Sequence, residues 1–118
     1  MTSRTDTPIA TRTLKIVGDG LEQKVEIRIY KPIDKTTENF DFHCEYEIDW
    51  PGKTLSSYAV GIDPVQALQL ALNKIGIELY TSSFHKERRL KWFELGSGFG
   101  FPVPPNIRDV YEGDDKSL

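Results

Sequence analysis

Residues 40–80 decide the fold and read FDFHCEYEIDWPGKTLSSYAVGIDPVQALQLALNKIGIELY. Over the first nine of these residues, apolar and polar side chains alternate without a break. Because successive side chains of a β-strand point to opposite faces, the alternation predicts a strand with one buried face. The apolar row consists of Phe40, Phe42, Cys44, Tyr46 and Ile48. The polar row consists of Asp41, His43, Glu45 and Glu47.

A tight connection and a helix start follow this strand. Asp49–Lys53 contains Pro51 and Gly52 and leads into a further predicted strand over Thr54–Gly61. Asp63 then precedes Pro64, and an aspartate oxygen can accept a hydrogen bond from a helix N–H, while proline needs no donor at the first helical position. Gln66 stands at capping-box spacing from Asp63. We therefore predict a helix over about 63–80.

The predicted helix is amphipathic. With successive residues rotated by about 100°, one stripe collects six apolar side chains and should lie on the sheet. These are Val65, Leu68, Ala71, Leu72, Ile75 and Leu79. The polar cluster Thr81–Ser83 ends the pattern after Tyr80.

Two further strands are predicted upstream and one downstream. Leu14 and Ile16 precede the turn residues 18–20, and apolar residues alternate again over 25–29, which is typical of a hairpin. The segment 31–39 is predicted to be a loop. Residues 90–93 are predicted to form a short strand with Trp92 buried, and residues 106–111 a helical turn.

These elements define a two-layer α+β domain. Short connections favour an antiparallel meander of four to five strands packed with one main helix, and a barrel-like closure is the alternative. We expect a flexible lead-in at 1–8, one domain at 9–111 and a polar tail at 112–118.

Composition narrows the class of function. The chain of 118 residues has 18 acidic and 15 basic residues, a net charge of -3, which disfavours a nucleic-acid binder. Its one cysteine cannot form an intrachain disulfide, which favours a reducing compartment. We see neither a signal peptide nor an apolar stretch able to span a bilayer, so we expect a cytoplasmic protein without membrane contact.

One family resemblance is present. The run Gly61–Leu72, GIDPVQALQLAL, together with Leu79–Ser82 and Gly98–Pro102, resembles short bacterial proteins grouped as a domain of unknown function. The resemblance implies a bacterial source and assigns no activity.

The polar strand face and the thiol are the first candidates for chemistry. His43, Glu45 and their row could meet a cation, but a solvated face balanced by Lys24 and Arg28 explains the row better. Cys44 points away from His43, so we expect a buried, inert thiol. Ser82, Ser83, His85 and Asp63 lack the surrounding pattern of a hydrolytic triad. We predict no catalytic residue, metal or cofactor.

Two segments near the carboxyl end are weaker candidates. The loop Gly96–Phe101 is glycine-rich but lacks the lysine and hydroxyl residue of a phosphate-binding loop. Its glycines are expected to let Phe99 and Phe101 fold back onto the sheet. A basic cluster is interrupted by Glu87, so a solvated loop is favoured over a phosphate or nucleic-acid contact. Its members are Lys86, Arg88, Arg89 and Lys91.

The helix carries the most informative feature. Leu70 and Ile77 project opposite the core stripe, among polar neighbours, which is the composition of a small protein interface. The candidate interface, which we call the helix patch, consists of Gln66, Leu70, Asn73, Lys74 and Ile77. The proline-rich carboxyl segment could instead cover it.

The functional hypothesis that follows is a non-catalytic protein-binding module, whose partner is another protein or a second copy of the chain. One alternative is a small enzyme that uses the face of His43 and Glu45 or the Gly96–Phe101 loop. The other alternative is a nucleic-acid accessory protein.

Overall fold

The computed structural model describes residues 6–38, 41–103 and 115. Its strands are β1 (Ala10–Gly18), β2 (Leu21–Ile29), β3 (Ile33–Asp34), β4 (Phe42–Trp50), β5 (Lys53–Gly61) and β6 (Leu90–Lys91). Its helices are α1 (Pro64–Tyr80) and α2 (Ser83–Lys86), with a 3-10 turn at Thr36–Glu38. Phe40, the predicted helical turn at 106–111 and all of the predicted tail except Asp115 lie outside the described residues.

The strands form one antiparallel sheet. Its order is β6-β1-β2-β4-β5, and β3 pairs with the start of β4. Four strands, β1, β2, β4 and β5, lie side by side in chain order, which confirms the predicted meander for them, whereas β6 returns to pair with β1. The predicted α+β class, a sheet packed with one main helix, is also confirmed. In the described part of the chain the sheet is open, so the alternative of a barrel-like closure is wrong.

The start of α1 follows the predicted capping. Asp63 Oδ1 accepts a hydrogen bond from the Gln66 N–H at 2.8 Å, and Gln66 Oε1 accepts one from the Ile62 N–H at 2.7 Å. Asp63 thus satisfies a backbone donor that the first helical turn leaves open, while Gln66 reaches back to the N–H of the residue before the cap. No helix among the described residues combines the length and apolarity needed to cross a membrane.

The predicted core stripe of α1 is wrong at its first member. Val65 is 66% exposed, whereas Ala67, Ala71, Ile75 and Leu79 are fully buried. These four residues are spaced by i,i+4, and each such step advances about 40° around a helix of 3.6 residues per turn. The buried face therefore rotates along α1, and at the first turn it lies on the side of Ala67.

Two compact units make up the structure. The first comprises residues up to Arg12 and Glu26–Ala71. Its core includes Ile27, Cys44, Tyr46, Ile48 and Ala59. The end of β5 approaches the first turn of α1 closely, because a Cβ on Gly61 would lie 2.3 Å from the Ala67 nitrogen. Only glycine fits this contact. The segment predicted as loop forms β3, because Ile33 pairs with His43.

The second unit comprises Thr13–Val25 and the residues from Leu72 onward. Asp19 and Gly20 have positive φ angles of 52° and 73°, which suit the tight turn of a hairpin. β6 pairs with β1 through Ile16 and Leu90. The predicted burial of Trp92 is wrong, because β6 ends at Lys91 and leaves this ring half-buried against Phe93.

Candidate functional site

The site lies in the first unit, on the side of β4 that faces away from the core. Strand alternation places His43, Glu45, Glu47 and Asp49 on this side. Residues directly opposite in an antiparallel pair share a face, so the register adds their neighbours from the adjoining strands. These neighbours are Arg28, Ile33, Thr54, Ser56, Tyr58 and Val60. We call this surface the outer face.

One guanidinium organises the charged end of the outer face. Arg28 donates from Nη1 and Nη2 to the two carboxylate oxygens of Asp49, at 2.6 and 2.9 Å. Its Nε lies 3.1 Å from Glu47 Oε1, and Nη1 also lies 2.7 Å from Glu26 Oε1. Such two-point contacts fix the orientation of both side chains as well as their distance.

Glu47 departs from the expected solvated row, since it is only 4% exposed. Its Oε1 accepts hydrogen bonds from Tyr30 Oη at 2.5 Å and from Arg28 Nε, and Ser56 Oγ lies 3.5 Å from Oε2. A buried carboxylate is tolerated when it is paired and hydrogen-bonded, and its neighbours supply both conditions here. Arg28 is thus the balancing cation that the sequence predicted.

The pKa values of Arg28, Asp49 and Tyr30 in this network are shifted further away from pH 7. The hydrogen bonds to Asp49 and Glu26 raise the pKa of Arg28, and the same bond from Arg28 lowers the pKa of Asp49. Burial, reinforced by the hydrogen bond to Glu47, raises the pKa of Tyr30. None of these three groups is therefore suited to exchange a proton near pH 7.

The other end of the outer face carries exposed apolar side chains. Tyr58 is 48% exposed, and its ring stacks on His43 with centroids 4.7 Å apart and an interplanar angle of 6°. Val60 and Ile33 are also exposed and flank His43 on either side in the strand register. An exposed apolar group beside charged groups is typical of a contact surface.

Metal and thiol chemistry find no support in the described geometry. Among residues 6–38, 41–103 and 115, no three His, Cys, Asp or Glu side chains are grouped so that they could hold a metal ion. Cys44 is buried as predicted, with Sγ 3.4 Å from the Tyr30 carbonyl oxygen. Burial, followed by the charge of Glu45, raises the pKa of the Cys44 thiol to about 11. The reactive thiolate is therefore disfavoured.

The basic cluster near the carboxyl end is partly committed to structure. Arg89 donates from Nε to the Val17 carbonyl oxygen at 2.8 Å, and its guanidinium lies 6.0 Å from the Phe84 ring centroid. Lys86 and Arg88 are exposed, and Lys91 pairs in register with Lys15. Arg89 therefore gives part of its hydrogen-bonding capacity to the chain's own carbonyl group.

The helix patch is partly exposed. Leu70 is 38% exposed, whereas Asn73 and Ile77 are half-buried. Gln66 is exposed but serves the cap of α1, and Lys74 is exposed.

Part of the carboxyl segment reaches α1 beside the helix patch. A Cβ on Gly76 would lie 2.4 Å from Val103 Cγ1 and 2.9 Å from the Pro102 carbonyl oxygen. The described part of the carboxyl segment therefore contacts α1 at Gly76, the residue that precedes Ile77.

The Gly96–Phe101 loop buries its aromatic residues, and the ring contacts of Phe99 are with helical residues where the prediction expected the sheet. Phe99 and Phe101 are both buried, and Gly96, Gly98 and Gly100 have positive φ angles. The Phe99 ring packs 4.9 Å from the Tyr80 ring and 5.6 Å from the His85 ring. It therefore contacts residues of α1 and α2.

Sequence reasoning missed most of the outer face. Tyr30, Asp49, Tyr58 and Val60 were not singled out, although period-two alternation places Tyr58 and Val60 on one face of β5. The missing information was the register between strands, which brings Arg28 opposite Glu47 and Val60 opposite His43.

Fold and site together define a small α+β domain with a mixed polar and apolar surface on its sheet. The chain belongs to the family described as Domain of unknown function (DUF6968), whose model matches residues 10–103. This finding confirms the predicted resemblance to a domain of unknown function. No curated protein and no solved structure matches the chain.

Proposed function

We propose that this chain is a non-catalytic protein-binding module of the bacterial cytoplasm. Its outer face binds a segment of another protein that carries basic side chains next to apolar ones. The observation that carries the proposal is the juxtaposition of the exposed Tyr58, Val60 and Ile33 with a row of carboxylates on adjacent strands.

Charge complementarity selects the partner. The outer face and the adjoining Glu26 hold four carboxylates against one guanidinium. Glu26 and Asp49 are 47% and 38% exposed at their side chains, so a partner's lysine or arginine can reach them. Opposite charge steers encounter and excludes acidic competitors, while burial of the apolar side chains supplies affinity.

The ionisation of the network supports binding over catalysis. An acid or base catalyst works best with a pKa near the working pH, whereas the pKa of Arg28 is raised and that of Asp49 is lowered. The same bonds orient the side chains before a partner arrives. A preorganised surface loses less conformational entropy on binding.

The helix patch is a second proposed protein contact. Leu70 is the most exposed apolar member of the patch, and Lys74 beside it is exposed. The patch would bind a second copy of the chain, so its test is the oligomeric state.

Selection of displayed random peptides on the immobilised domain tests the outer face. Enriched peptides should combine Lys or Arg with Leu, Ile, Val or an aromatic residue, and their binding should weaken with added salt. The double variant Tyr58→Ser, Val60→Ser should lose at least about tenfold in affinity, which is the loss of about 1.4 kcal/mol of contact.

The matched control is Leu21→Ser, which removes an apolar side chain that is 72% exposed on β2. It should leave peptide affinity unchanged. Enrichment of acidic peptides would contradict the proposal. The proposal would also be contradicted if Leu21→Ser lost as much peptide affinity as the double variant. It would be contradicted as well if Leu70→Glu lost affinity and the double variant did not.

A further inference from the structure

In the second unit, the backbone of the Gly96–Phe101 loop binds a buried carboxylate. Asp115 is 1% exposed. Its Oδ2 accepts hydrogen bonds from Tyr80 Oη at 2.6 Å and from the Phe99 N–H at 2.8 Å, and its Oδ1 accepts one from the Gly100 N–H at 2.8 Å. Three neutral donors thus hold both oxygens of one carboxylate.

The loop backbone builds this cradle. Gly98 and Gly100 have positive φ angles of 92° and 77°. Alternation of left-handed and ordinary backbone turns successive N–H groups toward one side, which makes a concave anion-binding nest. The N–H groups of Phe99 and Gly100 are the two successive donors. The glycines therefore serve a carboxylate as well as the burial of Phe99.

Neighbouring rings hold the cradle in shape. Tyr80 is the last residue of α1, and its ring packs against Phe99 and, edge-on at 5.0 Å, against His85. The three donors come from residues 15 to 35 positions away from Asp115 in the chain. The donors are thus positioned by α1, α2 and the loop, and Asp115 is bound as a ligand would be.

We propose that Tyr80 and the Phe99–Gly100 backbone form a carboxylate-binding site, which Asp115 fills in cis and from which a ligand's carboxylate can displace it. The ligand class is a carboxylate because two oxygens are bound side by side. Covalent attachment gives Asp115 a high effective concentration, so a free carboxylate competes only when it is abundant or when additional contacts strengthen its binding. This site is independent of the outer face.

Chemical rescue with formate tests the site. The variant Asp115→Ala removes the carboxylate that accepts these three hydrogen bonds, and its Tm should fall by on the order of 5 °C. Sodium formate should restore several degrees beyond sodium chloride at equal ionic strength, and should shift the Phe99 and Gly100 amide resonances. Wild type should show a much smaller formate-specific gain, because formate must displace Asp115 from the site. Sodium phosphate should restore less than formate.

A second variant distinguishes binding of formate at the cradle from a general stabilising effect of formate on the protein. In Asp115→Ala combined with Tyr80→Phe, one donor to Oδ2 is gone, so formate should bind several-fold more weakly. If Asp115→Ala does not fold, Asp115→Asn should show the same two amide shifts at high formate. Absence of formate-specific rescue and amide shifts would overturn the proposal. Equal gain in wild type, equal rescue by phosphate, or unchanged affinity in the Tyr80→Phe background would overturn it as well.

Discussion

Replacement of Arg28 by methionine should destabilise the first unit far more than the loss of one surface cation. Arg28→Met keeps much of the apolar stem of the side chain and removes the guanidinium. Glu47 would then remain as a 4% exposed carboxylate that keeps the Tyr30 hydroxyl and the longer contact from Ser56. An uncompensated buried charge is expensive, so the free energy of unfolding should fall.

The magnitude follows from the burial of each partner. Removal of one partner of a fully buried ion pair costs about 3–5 kcal/mol. The Arg28 side chain is 19% exposed and that of Asp49 is 38% exposed, so solvent screens the contact with Asp49. We therefore assign the loss mainly to Glu47 and expect about 2–3 kcal/mol.

Urea denaturation of matched variants measures this loss. Lys24→Met is the control, because Lys24 is an exposed cation on the same strand. It should change the free energy of unfolding by less than about 0.5 kcal/mol. Adding Glu47→Gln to Arg28→Met should recover about 1 kcal/mol, since the amide is neutral and can still accept from Tyr30. Equal stabilities of the Arg28 and Lys24 variants would show that Glu47 is not held by Arg28.

Four further outcomes are expected. The folded-state pKa of Asp49 lies below the unfolded value, so its contribution to stability is present above about pH 4 and is lost as pH falls further. In urea denaturation at a series of pH values, Asp49→Asn should therefore lose less stability below about pH 4 than wild type. The same loss of stability in both proteins would show that the Arg28 contact does not hold the Asp49 carboxylate. Cys44 should react with a thiol reagent at about pH 8 only after unfolding, because its thiol is buried and has a raised pKa, and rapid native labelling would contradict this. Asp63→Ala should lower the free energy of unfolding by about 1 kcal/mol through loss of the helix cap. The midpoint of urea denaturation should fall accordingly, and an unchanged midpoint would contradict this role of Asp63. Leu70→Glu should weaken self-association in sedimentation with little change in Tm, whereas a lower Tm with unchanged sedimentation would show that the chain covers this residue itself.

Local patterns predicted the elements of this fold because their causes are local. The alternation in β4 depends on neighbouring residues alone, and so does the cap in which Asp63 accepts from Gln66. Short connections then restrict which strands can pair. The exposure of Val65 escaped this reasoning because a fixed rotation of about 100° per residue ignores the slow turn of the buried face along α1.

The polar half of the outer face could be predicted only as a row. Alternation places Glu45 and Glu47 on one face but does not state which strand lies beside them. Burial of Glu47 depends on Tyr30 and Arg28, which are 17 and 19 residues away. The pairing of β2 with β4 brings Arg28 opposite Glu47, and Tyr30 follows the last residue of β2. A carboxylate row therefore cannot be assigned as solvated until the register shows what its neighbours donate.

The glycine-rich loop is a second case in which a binding group depends on contacts between residues far apart in the sequence. From the sequence, its glycines are expected to allow the burial of Phe99 and Phe101, and the missing lysine argues against phosphate. The sequence did not predict that the N–H groups of Phe99 and Gly100 would bind the carboxylate of Asp115. The third donor, Tyr80, lies 35 residues from Asp115, at the end of α1. A glycine-rich sequence thus permits such a nest of N–H groups, while long-range packing decides which acceptor reaches it.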